Sequence, residues 1–347
     1  MTAGAPHGPG IELGLDGKVA LLLRPETYPE YQRRIDTIQT HMSWVFLTPR
    51  HAYKLKKPVR YEFLDFSTLE ARRLNCLEEL RLNARLAPDV YLAVVPLAVG
   101  AGGQARLEGA GEVVEWLVKM RRLPSDRMLD EMIRRRALAA GDIRPTARVL
   151  AEFYREARGI PMSGAEYRAQ YERNIHANFQ VLADPAYDLP ADLLQTIHSA
   201  QLRLLRDEPG LLDRRAEAGR IIEGHGDLRP EHVCLAPQPV IFDRLEFNRQ
   251  FRILDAADEL AFLAMECDRL EADFVGPELF RVYAEVTGDA PPPALIAFYK
   301  SHRACLRAKL AILHTRELAP EHWPRWRALA EEYLRLGDGY SVGFPAV

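Results

Sequence analysis

The sequence lacks the features that would take a chain to or through a membrane. No stretch approaches the roughly 20 consecutive apolar residues that span a bilayer, although 48% of the 347 residues are hydrophobic. The first residues, M-T-A-G-A-P-H-G-P-G, have neither the basic start nor the apolar centre of a signal peptide. We therefore expect a cytoplasmic protein with no membrane partner.

Cysteine and net charge are also scarce. The four cysteines lie too far apart for a zinc or redox motif and are expected to be buried, reduced thiols. A formal net charge of only -3 argues against a nucleic acid as partner. The motif G-x-x-x-x-G-K-[ST] is missing, which excludes a P-loop as the phosphate-binding element.

The chain is long enough for more than one ordinary domain. Strand patterns occur before residue 120, and helical periodicity dominates after it. We predict an α+β fold of two lobes, with a small antiparallel β-sheet plus one helix in the N-lobe and a mainly helical C-lobe. The predicted parts are a partly disordered N-terminal extension at 1–27, an N-lobe at 28–117, a hinge at 118–124 and a C-lobe at 125–347.

The C-lobe contains the most informative stretch, residues 223–248, E-G-H-G-D-L-R-P-E-H-V-C-L-A-P-Q-P-V-I-F-D-R-L-E-F-N. Asp227 and Asp243 lie at the two ends of a predicted β-hairpin. In protein kinases, one Asp orients the attacking hydroxyl, a side chain five residues later holds a metal ion, and a second metal-binding Asp follows a short hairpin. The same spacing here selects Asp227, His232 and Asp243, and Glu246 offers a further carboxylate.

Four helices are predicted after this stretch, at 256–270, 278–286, 294–317 and 323–336. Asp255 and Asp258 open the first of them, where the helix N-terminus favours a carboxylate. We expect both aspartates to brace the loop that carries Asp227.

Upstream, the segment S-W-V-F-L-T-P-R-H-A-Y-K-L-K-K-P-V predicts a β-hairpin. Alternation along the second strand puts Ala52, Lys54 and Lys56 on one face and Tyr53 and Leu55 on the other. In the kinase pattern V-A-I-K, the Ala leaves room for adenine and the Lys reaches the α- and β-phosphates. Ala52 and Lys54 have this spacing, and Lys56 is the alternative lysine. A solvated basic edge strand would explain the same run without any ligand.

Leucines at helical spacing predict a helix over residues 67–86, capped by Ser67 or Thr68. A kinase needs a glutamate in this helix to hold the phosphate-binding lysine. Glu78 and Glu79 are both candidates, and we prefer Glu79.

Two further elements complete the predicted nucleotide site. Val118 and Met120 end a predicted strand at 112–120 and would form the hinge whose backbone contacts adenine. The Gly-rich loop of protein kinases is missing, and the turn at residues 40–43 takes its place. There, backbone amides and the Ser43 hydroxyl would contact phosphates.

Five ordered segments resemble the aminoglycoside phosphotransferase-related family of bacterial proteins. They are T-H-M-S-W-V-F-L-T-P-R-H-A-Y-K-L-K-K-P-V, F-L-D-F-S-T-L-E-A-R-R, E-E-L-R-L-N-A-R-L-A-P-D-V-Y, H-G-D-L-R-P-E-H-V and I-F-D-R-L-E-F-N-R-Q-F-R-I-L-D-A-A-D-E-L-A-F-L. The resemblance covers residues 28–336. It is closer to an uncharacterised branch that is sometimes fused to a C-terminal P-loop ATPase domain, which has no counterpart in this sequence.

The resemblance implies a protein-kinase-like fold, ATP with Mg2+, and transfer of the γ-phosphoryl group to a hydroxyl of a small molecule. The acidic C-lobe permits a cationic acceptor such as an amino sugar or aminoalcohol. The family motif H-G-D-x-x-x-x-N matches at Asp227, but its Asn is His232 here. Imidazole suits transition metals better than Mg2+. Mn2+ is therefore an alternative, and so is a packed His232 that binds no metal.

Small-molecule kinase activity, with Asp227 as the catalytic residue, is the favoured hypothesis. A pseudokinase-like regulator that binds ATP without transferring phosphate is the alternative. His232 and the missing Gly-rich loop favour that alternative, whereas the presence of both Asp227 and Asp243 argues against it. A pure scaffold protein would need neither aspartate.

Overall fold

The computed structural model describes residues 13–30, 33–61, 64–236 and 238–345. The chain divides into two compact units. The first extends to Pro124 and includes Ile241–Arg249, and the second comprises Ser125–Val240 and Gln250–Val347. The predicted disorder of the first ten residues lies outside the described residues. Residues 241–249, which the sequence placed in the helical lobe, group with the first unit instead.

The first unit contains an antiparallel sheet and two helices. Its elements are α1 (Leu15–Leu22), β1 (Asp36–Gln39), β2 (Ser43–Leu47), β3 (His51–Lys56), β4 (Arg60–Tyr61), β5 (Leu64–Asp65), α2 (Leu69–Asn83), β6 (Tyr91–Val99), β7 (Ala105–Leu107) and β8 (Glu112–Arg121). Six of the strands form one sheet in the order β1-β2-β3-β8-β6-β7, and β4 pairs with β5.

Most of these elements follow from sequence pattern. The β2–β3 hairpin is present, and its alternation puts Tyr53 and Leu55 in the hydrophobic core of the unit. Helix α2 begins after Thr68, whose side chain accepts a hydrogen bond from the Ala71 amide at 3.1 Å. The first helix was not predicted, because its eight residues include Gly17 and depend on burial of Leu22 rather than on helix propensity.

The second unit is mostly helical, which together with the sheet of the first unit confirms the predicted α+β fold. Its helices are α3 (Leu129–Arg134), α4 (Arg144–Glu156), α5 (Gly164–Leu182), α6 (Ala191–Asp207), α7 (Gly210–Glu217), α8 (Ala256–Arg269), α9 (Val275–Thr287), α10 (Pro293–His314) and α11 (Trp323–Ser341). The short strands are β9 (Ile221–Glu223), β10 (Val233–Cys234), β11 (Val240–Ile241), which ends at the boundary of the units, and β12 (Ile253–Asp255).

Helix α8 organises the second unit. Every residue from its start to Cys267 is buried, as expected for a helix that is packed on all sides. Its polar side chains are therefore paired: Asp258 accepts two hydrogen bonds from Arg303, at 2.8 and 2.6 Å. Asp255 caps the helix by accepting from the Ala257 amide at 2.9 Å.

Two other expectations concern the described part of the chain as a whole. All four cysteines are free and buried. Across residues 13–30, 33–61, 64–236 and 238–345, none of the helices has both the length and the apolar character needed to cross a bilayer.

Candidate active site

Strand β3 puts two lysines on one face of the sheet in the first unit. Lys54 Nζ lies 2.9 Å from Glu79 Oε1 and 2.6 Å from Asp243 Oδ1. Lys56 Nζ lies 2.6 Å from Glu79 Oε2 and 2.5 Å from Glu246 Oε1. The five groups alternate in sign, and we call the series Asp243, Lys54, Glu79, Lys56 and Glu246 the charge chain.

Burial increases along the charge chain from Asp243 to its central glutamate. The Asp243 side chain is 36% exposed and that of Lys54 is 12% exposed, whereas the Lys56 side chain is 2% exposed and Glu79 is fully buried. Glu78, the other candidate in α2, instead pairs with Arg81 on the exposed side of the helix. The structure thus brings together Lys54, Lys56, Glu79 and Asp243, and Lys54 is the more accessible of the two lysines.

Electrostatics keep both lysines protonated. Burial alone would lower the pKa of Lys54, but the carboxylates of Asp243 and Glu79 outweigh it and hold that pKa well above the ordinary 10.5. Burial alone would also lower the pKa of Lys56, but Glu246 and Glu79 outweigh it and raise that pKa above its ordinary value. Of the two fixed ammonium groups, that of Lys54 is the more accessible and is suited to binding an anion such as a phosphate.

Backbone contacts hold Asp243 in place. Its φ of 61° lies in the left-handed region, which is unfavourable for a non-glycine residue. The Asp243 amide donates to the Tyr91 hydroxyl at 3.0 Å, and the Arg244 amide donates to Asn83 Oδ1 at 3.0 Å. Asn83 in turn donates to the Glu79 carbonyl at 2.9 Å. Because these partners come from α2 and β6, the first unit determines where the Asp243 carboxylate points.

The predicted adenine-contacting residues lie in the sheet. Ala52 is buried and aligned with Met120, and Lys54 is aligned with Val118. Val118 and Met120 belong to β8, which pairs with β3 on one side and β6 on the other. The structure therefore differs from the predicted hinge at 118–124: strand pairing continues to Arg121, and the chain leaves the sheet only after that residue.

The turn predicted to replace the Gly-rich loop connects β1 to β2. The Thr40 amide donates to the Ser43 carbonyl at 2.9 Å, and the two hydroxyl oxygens lie 2.9 Å apart. Ser43 is only 4% exposed. Its hydroxyl therefore stabilises the turn, and a ligand would have to compete with Thr40 for it.

In the second unit, Asp227 lies in a loop whose polar contacts are mostly local. Arg229 Nε lies 3.0 Å from Asp227 Oδ1, and the Asp227 side chain is 33% exposed. Burial alone would raise the pKa of Asp227, but Arg229 and His232 outweigh it and hold that pKa below the ordinary 3.8. Asp227 is therefore a carboxylate at neutral pH and a weak base.

His232 closes this loop. Its Nδ1 lies 2.7 Å from the Asp227 carbonyl oxygen, and its Nε2 lies 3.4 Å from Arg229 Nη2. The ring is also stacked on His225, with 5.8 Å between centroids. With Nδ1 as donor to the carbonyl, both ring nitrogens of His232 have partners within its own loop.

The residue that braces the Asp227 loop was not predicted. Glu259 of α8 accepts from the Gly226 amide at 2.7 Å and from the Tyr154 hydroxyl at 2.8 Å. Gly226 has a φ of 92°, which a side chain would strain. Asp255 and Asp258, the predicted braces, instead pair with Arg215 and Arg303.

Some of these missed residues have a weak signal in the sequence. Arg229 is two positions after Asp227 in H-G-D-L-R-P, where its charge could have been weighed. Glu259 follows Asp258 directly in the same helix, and one residue of helical rotation decides which of the two faces the loop. Tyr91 and Asn83 have no such signal, because their contacts to residues 243 and 244 join positions 152 and 161 residues apart.

The side chains of the first unit suit a divalent cation with oxygen ligands. Asp243 is a partly exposed carboxylate, and such oxygens are the ligands that Mg2+ prefers, whereas the largely buried Glu246 is paired with Lys56. The His232 nitrogens are engaged within their own loop and are the softer donors. The residues present therefore fit Mg2+ at Asp243 better than a transition metal at His232.

Comparisons with known proteins find relatives that are similar in sequence over most of this chain. No protein-family model matches the chain. Uncharacterised proteins of Mycobacterium bovis and Mycobacterium tuberculosis are 32% identical to it over 292 residues, which is 83% of this chain and 56% of theirs. The chain thus spans little more than half the length of these curated relatives.

Solved structures similar to this chain include several small-molecule kinases. A choline/ethanolamine kinase family protein from Mesorhizobium loti aligns at a TM-score of 0.47 and 16% identity, covering 93% of this chain and 98% of that one. A Plasmodium vivax ethanolamine kinase aligns at 0.47 and 11%, covering 86% and 80%. An aminoglycoside phosphotransferase from Streptomyces rimosus, in complex with ADP and streptomycin, aligns at 0.42 and 17%, covering 78% and 92%. At these values the likenesses establish no activity for this chain.

Proposed function

We propose that this protein is an ATP-dependent phosphotransferase of protein-kinase-like fold, which transfers the γ-phosphoryl group to a hydroxyl of a small molecule. The observation that carries the proposal is Lys54, whose mostly buried ammonium group lies between the fully buried Glu79 and the partly exposed Asp243. A scaffold protein has no need for such a group, because removing charges from water is costly even when they are paired.

Each residue then has a role that phosphoryl transfer requires, namely positioning and charge neutralisation. Lys54 binds α- and β-phosphate oxygens, and Glu79 fixes its side chain. Asp243 would hold a metal ion, which when bound would neutralise phosphate charge. Lys54 lies 2.6 Å from Asp243 and would exchange part of that carboxylate contact for phosphate oxygens on nucleotide binding.

Asp227 orients the acceptor hydroxyl and accepts its proton only after attack on the phosphoryl group is well advanced. Its depressed pKa makes it a weak base, which suits a loose transition state in which the hydroxyl needs little deprotonation before attack. Arg229 and His232 keep the carboxylate ionised. An amino sugar or an aminoalcohol fits the acidic composition of positions 221–290, which hold 15 acidic against 6 basic residues.

One observation favours the alternative of an ATP-binding regulator without activity. His232 replaces the Asn that the metal site of the resembled family uses, and its Nδ1 is bound to the Asp227 carbonyl. In that case Lys54 and Asp243 would still bind nucleotide, but no acceptor would be phosphorylated.

Nucleotide binding and turnover of the purified protein test the proposal together. Calorimetric titration with ATP and Mg2+ measures binding, and ADP release in the presence of a panel of amino sugars and aminoalcohols measures transfer. Asp227→Asn is expected to abolish transfer and to change ATP affinity less than about threefold, because the variant keeps the charge chain. Lys54→Met is expected to weaken ATP binding by about tenfold or more.

Arg73→Met is the matched control, since Arg73 is in the same unit and pairs with Glu70 at the surface of α2. It should leave binding and turnover unchanged. Absence of ATP binding by the wild-type protein would contradict both the kinase and the regulator, and binding without transfer to any acceptor would favour the regulator. Normal turnover by Asp227→Asn would refute the catalytic assignment.

A further inference from the structure

The second lysine of the charge chain is left without a role by the proposed function. Lys56 is nearly inaccessible, with a side-chain exposure of 2%. A group so buried cannot reach a phosphate without rearrangement, and a buried ammonium is costly unless its partners are well placed. Its two carboxylate partners, at 2.6 and 2.5 Å, come from different parts of the chain.

Those partners make Lys56 a connection between two parts of the first unit. Glu79 is the residue that also fixes Lys54. Glu246 lies three residues after Asp243, in the segment Ile241–Arg249 that returns to the first unit after more than a hundred residues. Lys56 therefore links the helix that holds the phosphate-binding lysine to the segment that carries the proposed metal ligand.

That segment needs such a link, because Asp243 has a strained backbone conformation at a φ of 61°. The amide contacts to Tyr91 and Asn83 fix the backbone on either side of the Asp243 carbonyl. Both of these contacts are made at or before Arg244. The ion pair from Lys56 to Glu246 supplies a side-chain anchor on that further side.

We infer that Lys56 is a positioning residue for metal binding: by pairing with Glu79 and Glu246, it holds the Asp243 segment so that the Asp243 carboxylate is oriented for the metal–nucleotide complex. This inference rests on the proposed function. It assigns Lys54 to the phosphates and Lys56 to the support of the metal ligand, which resolves the choice that sequence spacing left open. Loss of residues that orient a metal ligand commonly weakens metal affinity by about 10- to 100-fold.

The test separates binding of the nucleotide from its dependence on metal. The dissociation constant of a non-hydrolysable ATP analogue is measured by calorimetry for the full chain, with saturating Mg2+ and with EDTA. For Lys56→Met, we expect the tightening by Mg2+ to fall by about tenfold, while affinity in EDTA changes less than about threefold. Lys56→Arg, which keeps the positive charge, should recover part of the metal effect.

A matched set of variants keeps the result interpretable. Glu246→Gln leaves Lys56 paired with Glu79 and removes only the anchoring charge, so it should reduce the metal effect even if Lys56→Met folds poorly. Arg73→Met, which removes only a surface pair with Glu70, should behave as wild type. If Lys56→Met and Glu246→Gln lower the melting temperature but keep the full metal effect, Lys56 is merely structural and the inference is wrong.

Two other outcomes would also overturn the inference. A loss of affinity in EDTA as large as that in Mg2+ would mean that Lys56 contacts phosphate itself. Absence of analogue binding by the wild-type protein in both conditions would refute the proposed function, and the inference would fall with it. Binding by the wild type with an unchanged metal effect in the variants would refute the inference alone.

Discussion

The two units fix their charged groups in different ways. In the first, the charge chain joins a strand, a helix and a segment that lies 189 and 190 positions further along the chain from its two lysine partners. In the second, the polar contacts of Asp227 come mainly from Arg229 and His232, within five residues. The first arrangement exists only when the unit is folded, whereas much of the second is determined by a turn.

This difference predicts where mutations act. Members of the charge chain are buried and have partners in distant segments, so that removing one leaves uncompensated charge in the interior. Changes in the Asp227 loop affect contacts that are partly exposed and sequence-local. We therefore expect global instability from changes in the chain, and mainly functional effects from changes in the loop.

Replacing the central glutamate should have the largest effect. Glu79→Gln leaves Lys54 and Lys56 without their shared carboxylate in a site where Glu79 is fully buried. We expect a loss of about 3 kcal/mol or more in the free energy of unfolding, as for other broken buried ion pairs. Urea denaturation followed by circular dichroism measures it.

Glu78→Gln is the control, because Glu78 is next to Glu79 in the chain but pairs with Arg81 at the surface of the same helix. A change below about 0.5 kcal/mol is expected there. Equal destabilisation by the two variants would show that the charge chain contributes no more to stability than a surface pair.

The same contrast explains which features could be predicted from the sequence. Periodicity predicted α2, the β2–β3 hairpin and the helices α9, α10 and α11, because burial of one face leaves a regular apolar pattern. Alternation along β3 put Lys54 and Lys56 on one face, and the structure has both on Glu79. The short β1 strand, D-T-I-Q, carries no such pattern, because its residues are mostly exposed.

What the sequence could not supply is the choice among chemically equal candidates. Spacing favours Lys54 and leaves Lys56 as the alternative, and three-dimensional burial distinguishes them. The end of β8 depends on pairing with two neighbouring strands, which extends it to Arg121, inside the segment 118–124 predicted as the hinge. The Glu259 brace depends on the rotation of a helix that is buried on all sides and therefore has no amphipathic pattern to fix its orientation.

The pH dependence of stability should separate the two units. The folded pKa values of Lys54 and Lys56 are raised above 10.5, because Asp243, Glu79 and Glu246 outweigh the opposing effect of burial. Their stabilisation is therefore complete below about pH 10 and is lost as the pH rises through the folded values.

Asp227 behaves in the opposite sense. Burial opposes the shift, but Arg229 and His232 depress its folded pKa below 3.8. Its stabilisation is complete above about pH 4 and is lost as the pH falls further. Urea midpoints are measured from pH 3 to pH 11. Lys56→Met should weaken only the loss of stability at alkaline pH, and Asp227→Asn only the loss at acid pH. If both variants weaken the loss at the same end of the pH range, the proposed difference between the two units is wrong.

The smallest expected effect is that of His232→Asn, which tests whether the Asp227 loop is fixed by local hydrogen bonding alone. An Asn amide can donate to the Asp227 carbonyl as Nδ1 of His232 does at 2.7 Å, but it loses the stacking on His225. We expect the free energy of unfolding to change by less than about 1 kcal/mol. His232→Ala, which removes the donor as well, should cost more. Because His232 has its partners within the loop, the ratio of activities in Mg2+ and Mn2+ should stay constant in His232→Asn. A shift of that ratio toward Mg2+ would instead identify the imidazole as a metal ligand, and the loop would then depend on nucleotide binding as well as on its own turn.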